Sequence, residues 1–256
     1  MIKQAYHMSP RSEAIAAAAN TVFSHNVDGW VGNRISDMVR FCDAFHEQAD
    51  IRGDIAEIGI HHGKLFFILA AAARPDERCI AVDIFNNQSL NVDRSGNGDF
   101  GQFSTYIDTL FPHIRPQLNI IQGDSMSIPA SAASKILGSE KIRLFSVDGG
   151  HTKHHVLNDM CIAQEMLAGG GFVLLDDFLG PHWPGVTEGF FEYMKTLNRR
   201  LAPFMIFENK LFLTTFSEHA AVLAAVREFI EREHGDEIHH RWRYVELCGF
   251  KALGCY

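Results

Sequence analysis

Residues 54–63 read Asp54-Ile55-Ala56-Glu57-Ile58-Gly59-Ile60-His61-His62-Gly63, a short strand-like run that breaks into two glycines, with a helical pattern over 64–73 directly behind it. Gly59 lets the chain turn sharply, and Gly63 lets a ligand or a neighbouring backbone approach the start of the helix closely. Twenty residues beyond Gly63, Asp83 closes a second apolar run over 79–83. A carboxylate there can accept both hydroxyls of a ribose. His61 stands where a dinucleotide fingerprint carries the glycine that lets backbone touch a pyrophosphate. The stretch therefore points to a nucleoside-bearing ligand without a diphosphate, and away from NAD or FAD.

From this turn onward, short β-branched runs alternate with longer helical patterns, as in βαβ units that feed a mostly parallel sheet. Strands are predicted over 54–59, 79–83, 118–122, 142–147 and 171–175, with helices over 64–73, 103–111, 131–137 and 154–166. A further helix is predicted over 185–198. After it, 204–207 and 211–215 face each other across Glu208-Asn209-Lys210, a hairpin signal that places an antiparallel pair at one sheet edge. Residues 220–233 are helical, and 241–256 form an aromatic-rich tail with a strand-like end. The polar stretch 86–101 follows a strand's C-terminal end and has the length of a lid.

Composition bounds what such a chain can be. At about 150 residues per domain, 256 residues suit one large domain with an extension. Residues 1–50 are read as a helical cap or a dimerisation element that makes a homo-oligomer, and 51–256 as the main domain. Ile15, Val22, Trp30, Ile35, Met38, Val39 and Phe45 are the buried positions expected in the extension. Apolar residues at 46% and charged residues at 21% describe a chain able to bury a sizeable core. Lys+Arg at 23 against Asp+Glu at 31 gives −8, so there is no basic field to hold a nucleic acid backbone. Met1 to Arg11 is polar, and the small-residue run Ala14 to Ala19 is too short and weakly apolar for a signal peptide or membrane span. Five scattered cysteines without C-x-x-C spacing fit a reducing compartment, and the expected location is cytoplasmic.

A second candidate site lies further along. One strand runs into Val147-Asp148-Gly149-Gly150-His151, and the next into Leu174-Leu175-Asp176-Asp177-Phe178. Ligands of open parallel sheets bind outside the carboxyl ends of the strands, which lie about 4.8 Å apart. Asp148, Asp176 and Asp177 can thus meet at one point. Packed carboxylates raise one another's pKa unless a cation sits among them, and hard oxygen donors suit Mg²⁺, Ca²⁺ or Mn²⁺ better than zinc. Successive strand residues point to opposite faces, so both Asp176 and Asp177 can ligate only where the strand has already broken. Asp148 as a helix cap, with Asp176 or Asp177 facing solvent, is the structural alternative. His182 and Trp183, just beyond, are candidates for an acceptor pocket.

The series E-I-G-x-x-x-G, then A-V-D, then G-D-S at Gly123-Asp124-Ser125 resembles the class I S-adenosylmethionine-dependent methyltransferases over roughly residues 54 to 216. The resemblance implies an α/β, Rossmann-like methyltransferase fold: a mostly parallel seven-stranded sheet with an antiparallel edge hairpin, helices on both faces and a helical N-terminal extension. It gives the methionine part of the cofactor to Glu57, Gly59 and Gly63 with His61 beside them. It gives the ribose to Asp83 and the adenine flank to Asp124 and Ser125, and makes Asp148 a candidate for both cofactor and metal. Lys64-Leu65 departs from the small hydroxyl residue common after the last glycine and leaves the cofactor's carboxylate unassigned.

D-G-x-H at Asp148 to His151, the spacing through Asp159, Leu167, Gly170 and Gly171, the pair Asp176-Asp177 and then Pro184-Gly185-Val186 are similar to a narrower group. These are the metal-dependent O-methyltransferases of macrolide sugars and their cephalosporin hydroxylase-like relatives. That resemblance implies Mg²⁺ (or Mn²⁺) on Asp148, Asp176 and Asp177, with His151 as general base. The chemistry needs such a set, because an alcohol is a poor nucleophile until its proton leaves, and a cation with a nearby base makes that possible. The expected acceptor is a small polyhydroxylated molecule, a sugar or a glycosylated natural product. Metal-independent transfer and a non-catalytic cofactor-binding module are the rival readings.

Overall fold

The computed structural model describes residues 8–235 and 240–255. Met1 to His7, most of the polar stretch noted above, lie outside the described residues, as does Tyr256 at the end of the tail. The strands of the main sheet are β1 (Asp54–Ile58), β2 (Cys79–Asp83), β3 (Leu118–Gln122), β4 (Ile142–Val147), β5 (Leu167–Leu175), β6 (Leu201–Phe207) and β7 (Lys210–Thr215). β5 starts earlier than expected because Leu167 pairs with Ile142 before the chain bulges through Gly170, at φ +78, and re-pairs at Phe172.

Seven strands are not the whole sheet. The aromatic tail forms β8 (Trp242–Leu247) and β9 (Phe250–Cys255), giving nine strands among the described residues, in the order β3-β2-β1-β4-β5-β7-β6-β9-β8. The expectation of seven fails because Cys248 and Gly249 both take positive φ, 53 and 82, the pair of angles that a tight hairpin turn demands, and a cysteine does not announce it. β9 runs parallel to β6 through Met205↔Leu253, and the Trp242 ring stacks on Phe207 at 5.6 Å, so the hairpin covers an edge that would otherwise be open.

Helices cover both faces. α1 (Ser12–Ser24), α2 (Ile35–Gln48), α3 (Lys64–Ala70), α4 (Phe100–Leu110) and α8 (His219–Glu233) pack on one face around Phe41, Phe67, Phe103, Phe172 and Phe204. α5 (Ala133–Leu137), α6 (Lys153–Met166) and α7 (Pro184–Lys195) pack on the other, around Met160, Phe145, Val173 and Phe190. Ile15, Val22, Ile35, Met38 and Val39 are buried as their periodicity predicts. Trp30 is not: it is 75% exposed, because it lies in the loop between α1 and α2, where helical spacing no longer governs. Among the described residues no helix is long and apolar enough to cross a membrane.

The register of the central strands positions the site. Ile58 pairs with Val82 and with Val147, and Val147 pairs with Leu175, so these strands reach their C-terminal ends at one level. Gly59, Asp148 and Asp176 follow those ends and Asp83 closes β2, so the four emerge along one row.

Candidate active site

At this row a cavity of about 600 Å³ opens, lined on one side by the glycine turn and on the other by the acids after β4 and β5. Gly59 sits at φ +89, and a Cβ there would lie 1.8 Å from the Asp148 carbonyl oxygen, so only glycine lets the two loops close on each other. Gly63, at φ +91, is held by packing instead: its Cβ would strike the Phe67 and Phe103 rings at 2.7 and 2.8 Å. It is not among the residues that line the cavity, and the Phe67 and Phe103 rings lie beside it. His61 lies in the wall with φ 53, its ring 5.3 Å from Trp30 at the mouth.

Asp83 lines the cavity, and its carboxylate braces the turn. Oδ2 accepts the Ile60 and His61 amides at 2.6 and 2.8 Å, and Oδ1 accepts the Phe85 amide. Glu57 is buried in the same wall; the Ser146 hydroxyl donates to its Oε1 at 2.9 Å, and its Oε2 has no partner among the described residues. Burial pushes its carboxyl up to about 8, against the pull of Ser146 and Lys210. Asp124 and Ser125 line the cavity beyond Asp83, with the Met126 amide donating to Asp124 at 2.9 Å.

The three acids of the second site part company. β5 ends at Leu175, and Asp177 takes φ 53, so the strand has broken and the pair no longer alternates. Asp176 turns to a buried ion pair with Lys210 and accepts the Asp177 amide at 2.8 Å. Asp177 accepts from the Asn209 amide group at 3.0 Å and lies 3.3 Å from His151 Nε2. Asp148 Oδ1 is 3.9 Å from the same nitrogen. Ligand atoms of Asp148, His151 and Asp177 lie within 4.8 Å of one another. Burial and the neighbouring Asp176 hold the Asp148 carboxyl well above its ordinary range. The structure thus brings together Asp148, His151 and Asp177 and places Asp176 behind them.

His151 is gripped on three sides. Its Nδ1 faces Asp93 Oδ2 at 3.0 Å, Asp93 also accepts its backbone amide at 2.5 Å, and the Trp183 ring stacks on it at 4.4 Å. Burial alone would lower the imidazole, but Asp177 and Asp93 outweigh it and carry it up to about 9.

Residues 56–178 match the family model described as a methyltransferase domain, and they span the row of strand ends and both halves of the cavity. This stretch is a methyltransferase domain on the class I S-adenosylmethionine-dependent methyltransferase fold. No curated protein matches it in sequence. Among solved structures, this methyltransferase is similar to the O-methyltransferase NovP, at 14% identity and a TM-score of 0.60 over 80% of this chain and 97% of that one. It is similar to CalS11, a TDP-rhamnose 3'-O-methyltransferase of calicheamicin biosynthesis, at 16% identity and a TM-score of 0.51 over 83% of this chain and 98% of that one. A third is MycE from the mycinamycin pathway, solved with Mg, SAH and mycinamycin VI, at 14% identity and 0.51 over 82% of this chain and 55% of that one. At such identities these likenesses show the fold.

Three side chains of the methyltransferase site escaped the sequence reading: Asp93, Asn209 and Lys210. The last two were seen only as a hairpin turn. β7 runs antiparallel to β5 with Leu211 opposite Leu175, so the turn before it must sit beside Asp176 and Asp177, and that register was the available signal. Asp93 had no signal beyond its place in a long polar loop.

Proposed function

We propose that the chain moves the methyl group of S-adenosylmethionine to a hydroxyl of a small polyhydroxylated acceptor, a sugar or glycosylated natural product, with a divalent cation and His151 as general base. The observation that carries this reading is the meeting of Asp148, Asp177 and His151 in the same cavity as the glycine turn. The two carboxylates are hard oxygen donors that fit Mg²⁺ or Mn²⁺, and the imidazole beside them is the base rather than a ligand. The ion pairing supports it as well: the buried cation Lys210 is taken by Asp176, which leaves Asp148 and Asp177 facing the cavity. MycE, solved with Mg and SAH, and CalS11, a sugar O-methyltransferase, are consistent with this reading.

The wall residues suit the cofactor. Glu57 Oε2, buried and without a partner among the described residues, fits an ammonium, and Lys64, which lines the cavity and donates to the Gly29 carbonyl at 3.0 Å, fits a carboxylate. Asp83 keeps one lone-pair site, on Oδ1, for a ribose hydroxyl beyond its three amide contacts. In this reading Asp148 and Asp177 hold the cation while Asp176 fixes Lys210 beneath them. When bound, the cation offsets the two carboxylates and lowers the pKa of a hydroxyl and of the neighbouring imidazolium. His151 Nε2 then takes the acceptor's proton as the oxygen forms its bond to the methyl carbon and the carbon–sulfur bond breaks, leaving S-adenosylhomocysteine. Trp183 and Asp93 hold the ring in place for that transfer.

The Asp93–His151 contact favours a second, metal-independent reading, in which the acid alone supports the base. Incubation with S-adenosylmethionine and a panel of glycosides, read by mass spectrometry with and without chelator, tests both. The first reading expects a methylated glycoside that vanishes with chelator. Methylation undiminished by chelator favours the second, and no methylated hydroxyl across the panel counts against both.

A further inference from the structure

The loop 86–101 reaches across the cavity from one half of the site to the other. At one end, Gly96 and Gly98 sit against His61: Cβ atoms built on them would be 3.0 Å from its ring and 3.4 Å from its backbone. At the other end, Asp93 spends both carboxylate oxygens. Oδ1 accepts the Ser95 amide at 2.9 Å and its hydroxyl at 2.6 Å, and Oδ2 accepts the His151 amide and faces His151 Nδ1 at 3.0 Å. Both side chains are nearly withdrawn from water, at 10% for Asp93 and 12% for His151. On this side of the cavity the fully engaged Asp93 carboxylate ties the loop's position to the ring it touches.

We infer that Asp93 is a positioning residue: with loop 86–101 closed, it keeps a proton on His151 Nδ1 and thereby turns Nε2 toward Asp148 and Asp177. A carboxylate can only accept, so Nδ1 beside it must donate, in the neutral ring and in the imidazolium alike. Nε2, which faces Asp177 at 3.3 Å, is then the nitrogen that exchanges a proton at the reacting side. Opening the loop removes that constraint, so His151 is set for proton transfer only when the cavity is covered. The inference rests on the proposed role of His151, but its first test does not need activity.

In the wild-type chain, ¹⁵N-labelled histidine should show a slowly exchanging Nδ1–H on His151, and amide exchange should show protection of residues 91–98. In Asp93→Asn, one amide atom opposes an N–H of either Ser95 or His151. The Nδ1–H signal should exchange rapidly there, protection of the loop should fall, and the dissociation constant for S-adenosylmethionine should stay within about twofold. With a working acceptor, kcat should drop on the order of 10²–10⁴-fold, the usual worth of a general base, with the acceptor KM moving far less. A wild-type His151 protonated on Nε2 alone, or an unprotected loop, overturns the inference without any variant. Unchanged Nδ1–H exchange and kcat in Asp93→Asn overturn it as well. If Asp93→Asn fails to fold, Asp93→Glu, which keeps the charge and lengthens the arm, is read by the same two spectra.

Discussion

Lys210 Nζ and the Asp176 carboxylate, which lines the cavity, form a buried ion pair, with 1% and 5% of their side chains exposed. The pair exists because β7 starts where β5 ends, and it sets one cation beneath a group of acids. Removing the lysine leaves a buried charge without its partner. Lys210→Met should lower stability by about 3–5 kcal/mol, and adding Asp176→Asn should recover most of that loss. Urea unfolding of the two variants and the double variant checks it; additive losses in the double variant would show that the two groups do not depend on each other.

Glu57 gives a proton-linked binding signature. Its carboxyl lies at about 8 in the free protein, so it holds a proton at neutral pH. A cationic ligand group beside Oε2 favours the ionised form, so S-adenosylmethionine binding should release a proton and tighten as pH rises toward 8. Calorimetry in two buffers of different ionisation heat reads that proton, and Glu57→Gln should abolish it. Without ligand the sign is opposite: between the ordinary Glu value of about 4.3 and about 8, the folded chain binds more protons than the unfolded one. Stability therefore falls with rising pH over that window, and less so in Glu57→Gln.

Lys64 takes the place of the small hydroxyl residue common after the glycine turn. Its ammonium is the cation in the cavity wall nearest that turn in sequence, and a charge-assisted contact contributes about 1.5–3 kcal/mol. Lys64→Ala should weaken S-adenosylmethionine binding by about 10–100-fold, and Lys64→Arg should keep most of it. Equal affinity in the alanine variant would remove the carboxylate role.

Acid sensitivity should come from the opposite end of the sheet. Arg143, fully buried on β4, pairs with Glu77 at 2.9 Å and Asp43 at 3.2 Å, and Arg74 pairs with Glu77 at 2.9 Å. Burial would raise the Glu77 carboxyl, but Arg143 and Arg74 hold it below its ordinary value. A depressed carboxylate stabilises the fold fully above about pH 4.3, and the contribution is lost as pH falls through its lower folded value. Melting curves between pH 3 and 7 should show this loss, and Glu77→Gln should flatten it while lowering stability at pH 7.

How far the sequence could be read depended on whether a residue's role was local. Glycine turns and strand-end acids are set by the chain around them, so the places of Gly59, Asp83 and Asp148 were legible, whereas the strand break at Asp177 stood only as a condition. Gly63 was half-legible: its positive φ follows from the turn, whereas the Phe103 ring that excludes a side chain comes from α4, beyond the next strand. Lys210 and Asn209 became functional only through the β5–β7 register, and Asp93 only through the fold-back of a loop onto His151, 58 positions away. Trp30 misled because helical spacing was extended through a loop. The tail hairpin hid behind a cysteine at positive φ.

The most direct test of the central claim, a divalent cation on Asp148 and Asp177, is a Mn²⁺ titration followed by electron paramagnetic resonance. The account predicts one bound ion per chain, an affinity weakened about tenfold or more in both Asp148→Asn and Asp177→Asn, and no change in Asp124→Asn. A wild-type chain that leaves all Mn²⁺ free at millimolar concentration, or one whose binding both variants leave intact, would contradict it.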